Sequence, residues 1–448
     1  MYYKLRSILN NEILRQHSTI NLIASENYTS KSVREAVGSV FMHKYSEGNI
    51  GSRYYQGNVY IDELESLAIE LVKKVFKLPE YWSANVQALA GSNANLIVYN
   101  SILNPGDKIL SMFLPDGGHL SHGWSLPDNQ ITNLDLSRKE DFMVHRGGSK
   151  KVSIVSKFYE VIQYKTDPET ELLDYDFIYR LAEKEKPKLI ITGGTAYPRN
   201  INYTKMAEIA KSVGSYYLAD IAHEAGLVAA GVLDSPVGIA DFVTMTTHKT
   251  LRGPKGAIIL ANNELIKKVN KSVIPGIQGG PHNGTIAGIV QTLFEASTEE
   301  FKNYAQKILE NAKYFETALK DLGFRLVSGG TDKHLLVIDL RNYSINGKLL
   351  SEALEHINII TNMNTIPYDP SPPISPSGIR IGTPAITTRK MWKDEVIKIS
   401  NLIYKIVELL KDSRIEFQNL GNYLMSNDSV KKMKSEVLEI CDKFPIDL

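Results

Sequence analysis

The 448-residue sequence predicts an α/β protein: a large domain built on a mostly parallel sheet between helices, and a smaller C-terminal α+β domain. Three observations predict it. The length exceeds what one simple core accommodates. Between residues 175 and 219 helical and strand patterns alternate, as parallel strands joined by helical crossovers do. Past Gly323 the alternation stops and short strands and helices mix. Lysine plus arginine number 51 against 50 acidic residues, net charge +1, so no cationic excess points to nucleic acid or an anionic membrane. One cysteine, Cys441, excludes an intrachain disulfide and suits a reducing compartment. No apolar run reaches membrane-spanning length and the N-terminus lacks a signal-peptide pattern, so a cytoplasmic location is expected.

In chain order, residues 1–16 read as an exposed helical arm and 17–322 as the large domain. Residues 323–448 read as the small one. Ile20–Ser30 is a short apolar strand and polar loop, with Ser30 placed to cap the next helix. Lys44–Asn58 is too polar for a core and dense in Tyr, Glu, Arg and Gly, as binding loops are. Ile61–Phe76 has a 3.6-residue apolar period and is a helix. Asn85 onward runs from strand to helix with Gly91 and Ser92 at the helix start, where free N–H groups favour an anion such as phosphate. An ordinary cap at Ser92 is the plainer reading. Lys108–Leu114 is a strand leading to Asp116–Gly123, which carries His119 and His122. Two histidines without a third ligand pattern make a poor metal site, and none is expected. An imidazole on a Gly-Gly turn can stack on a flat ligand instead.

Residues from about 125 to 151 turn polar with no period and read as an insertion, a subunit-interface flap or a lid. Then come a helix at Tyr175–Lys184, a strand at Lys188–Thr192, a helix at Tyr203–Val213 and a strand at Tyr216–Ala219. Asp241–Met245 and Ala257–Leu260 are strands flanking a polar turn with His248 and Lys249. In such sheets ligands bind beyond the carboxyl ends of the strands. Three of those ends carry Thr195, then Asp220 and His223, then His248 and Lys249. A lysine crowded by His248, Arg252 and Lys255 has reason to lose its proton and form a Schiff base. A Gly/Pro loop at 274–283 precedes one long helix to about Leu322. The small domain contains strands at His334–Leu340, Ile357–Thr361 and Ile379–Gly382, and helices at Lys348–His356, near Asp394–Leu410 and at Ser429–Cys441. Arg380, inside an apolar strand, calls for an anionic partner, and a bidentate carboxylate is the natural one.

Seven motifs together resemble the serine hydroxymethyltransferase family over about residues 10 to 443, excluding the insertion. They are Ile-Ala-Ser-Glu-Asn-Tyr at 23–28, Tyr-Ser-Glu-Gly at 45–48, Arg-Tyr-Tyr at 53–55 and Gly-Gly-His-Leu at 117–120. Thr-Thr-His-Lys-Thr-Leu at 246–251, Gln-Gly-Gly-Pro-His at 278–282 and Gly-Ile-Arg-Ile-Gly-Thr-Pro-Ala at 378–385 complete the set.

The resemblance implies the aspartate-aminotransferase fold, fold type I, with a seven-stranded sheet. It implies pyridoxal 5'-phosphate as cofactor and tetrahydrofolate as co-substrate. The reaction would be reversible conversion of serine and tetrahydrofolate to glycine and 5,10-methylenetetrahydrofolate, in one-carbon metabolism and glycine biosynthesis. Lys249 would hold the cofactor as an imine, Asp220 would pair with the pyridine nitrogen, and His119 would stack on the ring. Thr195 and His223 would lie on the ring-hydroxyl side, with His248 beside Lys249. Gly91 and Ser92 would hold the phosphate with Gly279 and Gly280 of a neighbouring subunit. Arg380 and Ser25 would fix the amino-acid carboxylate. Glu47 and Tyr55 would arrive from the partner, Glu47 carrying a proton, with Tyr45 shaping the site. Folate would lie near Glu47, Tyr54, Leu114, Gly117, Gly118, Leu120 and Asn364. Sites shared in this way require a homodimer or tetramer. A carboxyl group held near folate and substrate carboxylates would have a raised pKa and so could carry a proton.

Four positions depart from the family pattern: Ala90 for a serine, Lys255 for an arginine, Met363 for a lysine, and Glu224 for an uncharged residue. A different pyridoxal enzyme of the same fold is the main alternative, disfavoured by Glu47, Tyr54 and Asn364. A binding protein that lost catalysis is disfavoured by Lys249, Asp220, Glu47 and Arg380.

Overall fold

The computed structural model of the chain describes residues 2–128, 135, 137, 139–411 and 417–447. They fall into two compact units, Thr29–Gln306, and Met1–Tyr28 with Lys307–Leu448.

The larger unit is organised on a sheet of β1 (Trp82–Asn85), β2 (Lys108–Met112), β3 (Val144–His145), β4 (Glu160–Tyr164), β5 (Leu189–Thr192), β6 (Tyr216–Asp220), β7 (Phe242–Thr246) and β8 (Ala257–Asn262). Its order is β1-β8-β7-β6-β5-β2-β4-β3. Neighbours from β7 through β4 are parallel, whereas β8 is antiparallel to β7 and β1, and β3 to β4. The central strands are continuous apolar runs because helices cover both faces, and β5 is buried along its whole length.

Among the described residues the sheet therefore has eight strands rather than seven. The additional one, β3, comes from the expected insertion and pairs Val144 with Tyr164 and His145 with Gln163. Two residues are too few to show alternation, which is why this stretch reads as loop. The two ends of the insertion are joined to each other. Ser125 bridges to Lys151, and the Leu126 amide donates to the Lys150 carbonyl at 3.0 Å.

Among the other elements some follow the sequence pattern and some depart from it. Ser30 caps Lys31–Val37, its hydroxyl accepting from the Val33 amide at 3.2 Å. The helix expected to run to about Leu322 is instead two, Asn283–Ala296 and Glu299–Asp321. Ser297 ends the first, and the Thr298 hydroxyl accepts from the Phe301 amide at 3.2 Å to start the second. The strand expected at Lys108–Leu114 stops at Met112, since Leu114–Asp116 forms a 3-10 turn.

In the smaller unit an antiparallel sheet orders Arg325–Leu326, Leu335–Asp339, Gly378–Gly382 and Asn362–Asn364. The strand expected at Ile357–Thr361 shrinks to Ile359–Ile360 and pairs in parallel with Ile20–Asn21. Asn358 has a φ of 64°, so the extended run cannot begin before Ile359. The N-terminal helix, Tyr2–His17, leaves Leu5, Ile8, Leu9 and Leu14 exposed.

Candidate active site

The carboxyl ends of β5, β6 and β7, three adjacent parallel strands, open onto one cavity of about 220 Å3. Its lining includes Gly91, Ser92, His119, Thr195, Asp220, His223, His248 and Lys249. The turn after β7 is held by its threonines. Thr247 Oγ1 donates to the Pro254 carbonyl at 2.5 Å and Thr250 Oγ1 to that of His223 at 2.8 Å. Arg252, with a φ of 63°, closes the turn by donating its amide to the Lys249 carbonyl at 3.1 Å. Lys249 Nζ donates to Thr246 Oγ1 at 2.8 Å, and that hydroxyl donates to the Ala222 carbonyl at 3.0 Å. Burial, then the charges of Lys249 and Lys255, push the His248 pKa down to about 3, so this imidazole is neutral at neutral pH.

Asp220 ends β6 at the cavity floor. Burial by itself would raise its pKa. The hydrogen bond and charge of His122, the charge of His119 and the Asn95 amide outweigh that and hold it well below the ordinary carboxylate range. Its Oδ2 accepts from Asn95 Nδ2 at 2.8 Å and pairs with His122 Nε2 at 2.9 Å; its Oδ1 accepts from the Ala222 amide at 3.0 Å. His119 Nδ1 lies 2.6 Å from Ser121 Oγ and accepts from the Ser121 amide at 3.1 Å. Among the described residues His119, His122 and Asp220 come closest to metal-ligand spacing, within 4.8 Å. Their facing atoms are engaged with one another and with Ser121 and Asn95.

The cavity wall opposite is the start of helix Gly91–Ile102. Ala90 is its cap residue and makes no side-chain cap, so Ser92 is the second helical residue and not the cap. The first intrahelical bond runs from the Ala94 amide to the Ala90 carbonyl at 2.9 Å. The amides of Gly91, Ser92 and Asn93 thus precede the hydrogen-bond ladder, as an anion-binding helix end requires. A Cβ on Gly91 would stand 2.6 Å from Thr246 Cγ2, so only glycine lets the helix end approach the lysine-bearing turn. Lysine, ionised carboxylate and open helix end fit a small phosphorylated heterocycle with a reactive carbonyl.

Leu114, Gly117, Gly118 and Leu120 belong to the loop that presents His119. It interlocks with the segment after β5. The Thr195 hydroxyl donates to the Gly118 carbonyl at 2.9 Å and its amide to that of Gly117 at 2.7 Å. Gly117 has a φ of 120°, and a Cβ there would lie 2.5 Å from the Tyr197 amide nitrogen.

Five expected site residues stay out of this lining and gather elsewhere in the same unit: Tyr45, Glu47, Tyr55, Gly279 and Gly280. Tyr45 OH donates to Glu47 Oε1 at 3.3 Å, and the Tyr45 and Tyr55 rings meet edge-on at 5.1 Å. A Cβ on Gly279 would lie 3.2 Å from Glu47 Oε1, and one on Gly280 3.1 Å from the Tyr45 ring. Arg53 anchors the loop from beneath, donating to the Gly48 carbonyl at 2.8 Å and pairing with Asp62 at 2.8 Å and Glu65 at 3.0 Å. Tyr54 is 70% exposed.

In the smaller unit Arg380 sits in mid-strand on Gly378–Gly382, and burial pulls its pKa down to about 10. Its Nε donates to Asn362 Oδ1 at 3.2 Å. The segment carrying Ser25 docks on the same strand, the Gly382 amide donating to the Leu22 carbonyl at 2.7 Å. Asn364 lies across from Gly378 in register.

A family model described as serine hydroxymethyltransferase matches residues 2–139 and 127–403. A serine hydroxymethyltransferase of Desulfotalea psychrophila (strain LSv54 / DSM 12343) is 43% identical over 439 residues, 98% of this chain and 93% of its own length. The chain belongs to the serine hydroxymethyltransferase family. It is a pyridoxal-phosphate-dependent transferase of fold type I, and tetrahydrofolate is its co-substrate. Among the described residues no helix is long and apolar enough to cross a membrane.

Of the departures from the serine hydroxymethyltransferase pattern, Ala90 leaves helix Gly91–Ile102 without a side-chain cap. Lys255 is exposed and acts on His248 through charge. Glu224 is 2% exposed, is absent from the cavity lining, and adds to burial in raising the Tyr203 pKa. Met363 is 39% exposed in the strand beside Arg380. Sequence reasoning missed Asn95, Ser121 and Thr246, and gave His122 no role beyond metal binding. Each acts through another side chain, and a hydroxyl or amide inside a helix or strand carries no signal of that.

Proposed function

We propose that serine hydroxymethyl transfer takes place in the cavity around Lys249, and that each site is completed by a second copy of the chain. The observation that carries this reading is the convergence of Thr195, Asp220 and Lys249 on one cavity with an open helix end. In it Lys249 holds pyridoxal phosphate through its amine. Asp220 faces the pyridine nitrogen, His119 the ring, and Thr195 and His223 the ring hydroxyl. Gly91 and Ser92 hold the phosphate, joined by Gly279 of the partner subunit and the partner's Gly280. When bound, the cofactor supplies an electron-accepting ring for the charge released at the substrate Cα.

The remaining steps belong to the chain's own groups. Arg380 and Ser25 bind the serine carboxylate, and the guanidinium, already stripped of water, gives that contact its strength. Thr246 orients the Lys249 amine at 2.8 Å. Neutral His248 adds no second cation beside it. Asp220, fixed as a carboxylate, keeps a proton on the pyridine nitrogen. Glu47 of the partner subunit moves the proton at the serine hydroxyl oxygen, and the partner's Tyr45 and the partner's Tyr55 shape its surroundings. Tyr54, Leu114, Gly117, Gly118, Leu120 and Asn364 contact folate. The protein acts in the cytoplasm, as a homodimer at least.

The test is serine cleavage measured with and without tetrahydrofolate, in the wild type and in Lys249→Ala. Cleavage should require tetrahydrofolate, and the variant should lose multiple turnover while still taking up the cofactor non-covalently. Equal serine cleavage without tetrahydrofolate, or normal turnover in the variant, would overturn the assignment.

A further inference from the structure

We propose that Asn95 is a positioning residue that fixes, through one side-chain amide, both the direction of Asp220 and the ring tautomer of His119. The proposal rests on the assignment of those two residues to the cofactor ring. Asn95 lies on helix Gly91–Ile102, one turn beyond the phosphate-facing end, and is 1% exposed. Its Nδ2 is 2.8 Å from Asp220 Oδ2 and 2.8 Å from Ser121 Oγ, and its Oδ1 is 2.7 Å from Thr244 Oγ1.

Only one set of hydrogen directions satisfies these contacts. An ionised carboxylate accepts and cannot donate, so the NH2 end of Asn95 must face Asp220. The amide oxygen then faces Thr244, whose hydroxyl must donate to it. The second amide hydrogen goes to Ser121 Oγ, and the Ser121 hydroxyl hydrogen is left for His119 Nδ1, 2.6 Å away, because that nitrogen already accepts from the Ser121 amide. The Ser121 amide donates to the same nitrogen at 3.1 Å. His119 Nδ1 therefore accepts twice, carries no hydrogen, and leaves the ring proton on Nε2.

The chain of donors runs from β7 through the helix to β6 and to the His119 loop. Its ends are fixed by the fold, because Thr244 and Asp220 are register partners on adjacent strands. One amide thus coordinates the group beneath the ring nitrogen with the group against the ring face. An aspartate in its place has the same shape but no hydrogens, and would set a second carboxylate against Asp220.

The experiment is nitrogen NMR of histidine-labelled apo-protein, with the equilibrium dissociation constant of pyridoxal phosphate measured alongside. In the wild type His119 should show an unprotonated Nδ1 and a protonated Nε2 near neutral pH. In Asn95→Asp the Ser121 hydroxyl turns to the new carboxylate, the His119 ring becomes a mixture of tautomers, and the cofactor binds roughly 10- to 100-fold more weakly. Ser121→Ala, which leaves Asn95 and Asp220 in place, should disturb the His119 tautomer as well and serves if Asn95→Asp does not fold. A protonated Nδ1 in the wild type, or the wild-type tautomer in a folded variant, would overturn the inference. Neither result bears on the catalytic reading, which stands or falls with Lys249→Ala.

Discussion

Arg380 is a guanidinium in the middle of a buried strand, and burial is what lowers its pKa to about 10. A charge held there is stabilised by an incoming carboxylate more than a solvated one would be. Arg380→Ala should therefore raise the serine KM by at least ~30-fold, about 2 kcal/mol, and leave the tetrahydrofolate KM much closer to normal. An unchanged serine KM would remove Arg380 from the carboxylate site. At this scale the residues that line the cavity were legible and the side chains behind them were not. Asp220 ends an apolar strand and Thr195, His223 and Lys249 lie just past one, where a polar group stands out against its neighbours. Asn95 and His122 act through contacts 26 to 125 positions away in sequence, and Ser121 relays one of these to His119, so no local pattern marks them.

Two elements carry departures that can be tested separately. Ala90 stands at the start of helix Gly91–Ile102 with no side-chain cap, beside the proposed phosphate. Ala90→Ser should stabilise the protein by about 1 kcal/mol and slow cofactor loss; a melting temperature unchanged or lower would show that the extended Ala90 backbone cannot place the hydroxyl. The edge strand β3 buries His145 against Phe113 and Trp124, and its Nε2 meets Ser125 Oγ at 3.0 Å. Burial, then the charge of Lys165, lowers its pKa from 6.5 to about 4. A base whose folded pKa is depressed binds fewer protons folded than unfolded, so stability falls as pH falls from about 6.5 to 4. Each such histidine steepens that slope by at most ~1.4 kcal/mol per pH unit. His145→Gln should flatten urea midpoints measured across that window, and an equally steep fall would show that this imidazole is not held neutral. The large-domain alternation was legible because buried parallel strands are continuous apolar runs. Strand β3 was not, because a strand of two residues shows no pattern of its own and forms only where the β4 edge is there to receive it. The helix break at Ser297 and Thr298 was missed for a related reason. Apolar periodicity continues on both sides, and only the cap geometry separates them.

Two groups of expected site residues lie apart in the larger unit. One surrounds Lys249; the other gathers Glu47, Tyr45, Tyr55, Gly279 and Gly280, none of which lines the Lys249 cavity. Exposed tyrosines at 45, 54 and 55 mark the second group as a surface that another copy can cover. In the proposed two-fold dimer the second group of each chain would complete the first of the other. The direct measurement is complementation in mixed dimers. Lys249→Ala and Glu47→Gln chains are co-expressed with different tags and the hetero-dimers isolated. Each parent should be inactive, whereas the mixed dimer holds one intact site of two and should turn over at about half the wild-type rate. Mixed dimers as inactive as their parents would contradict the shared site.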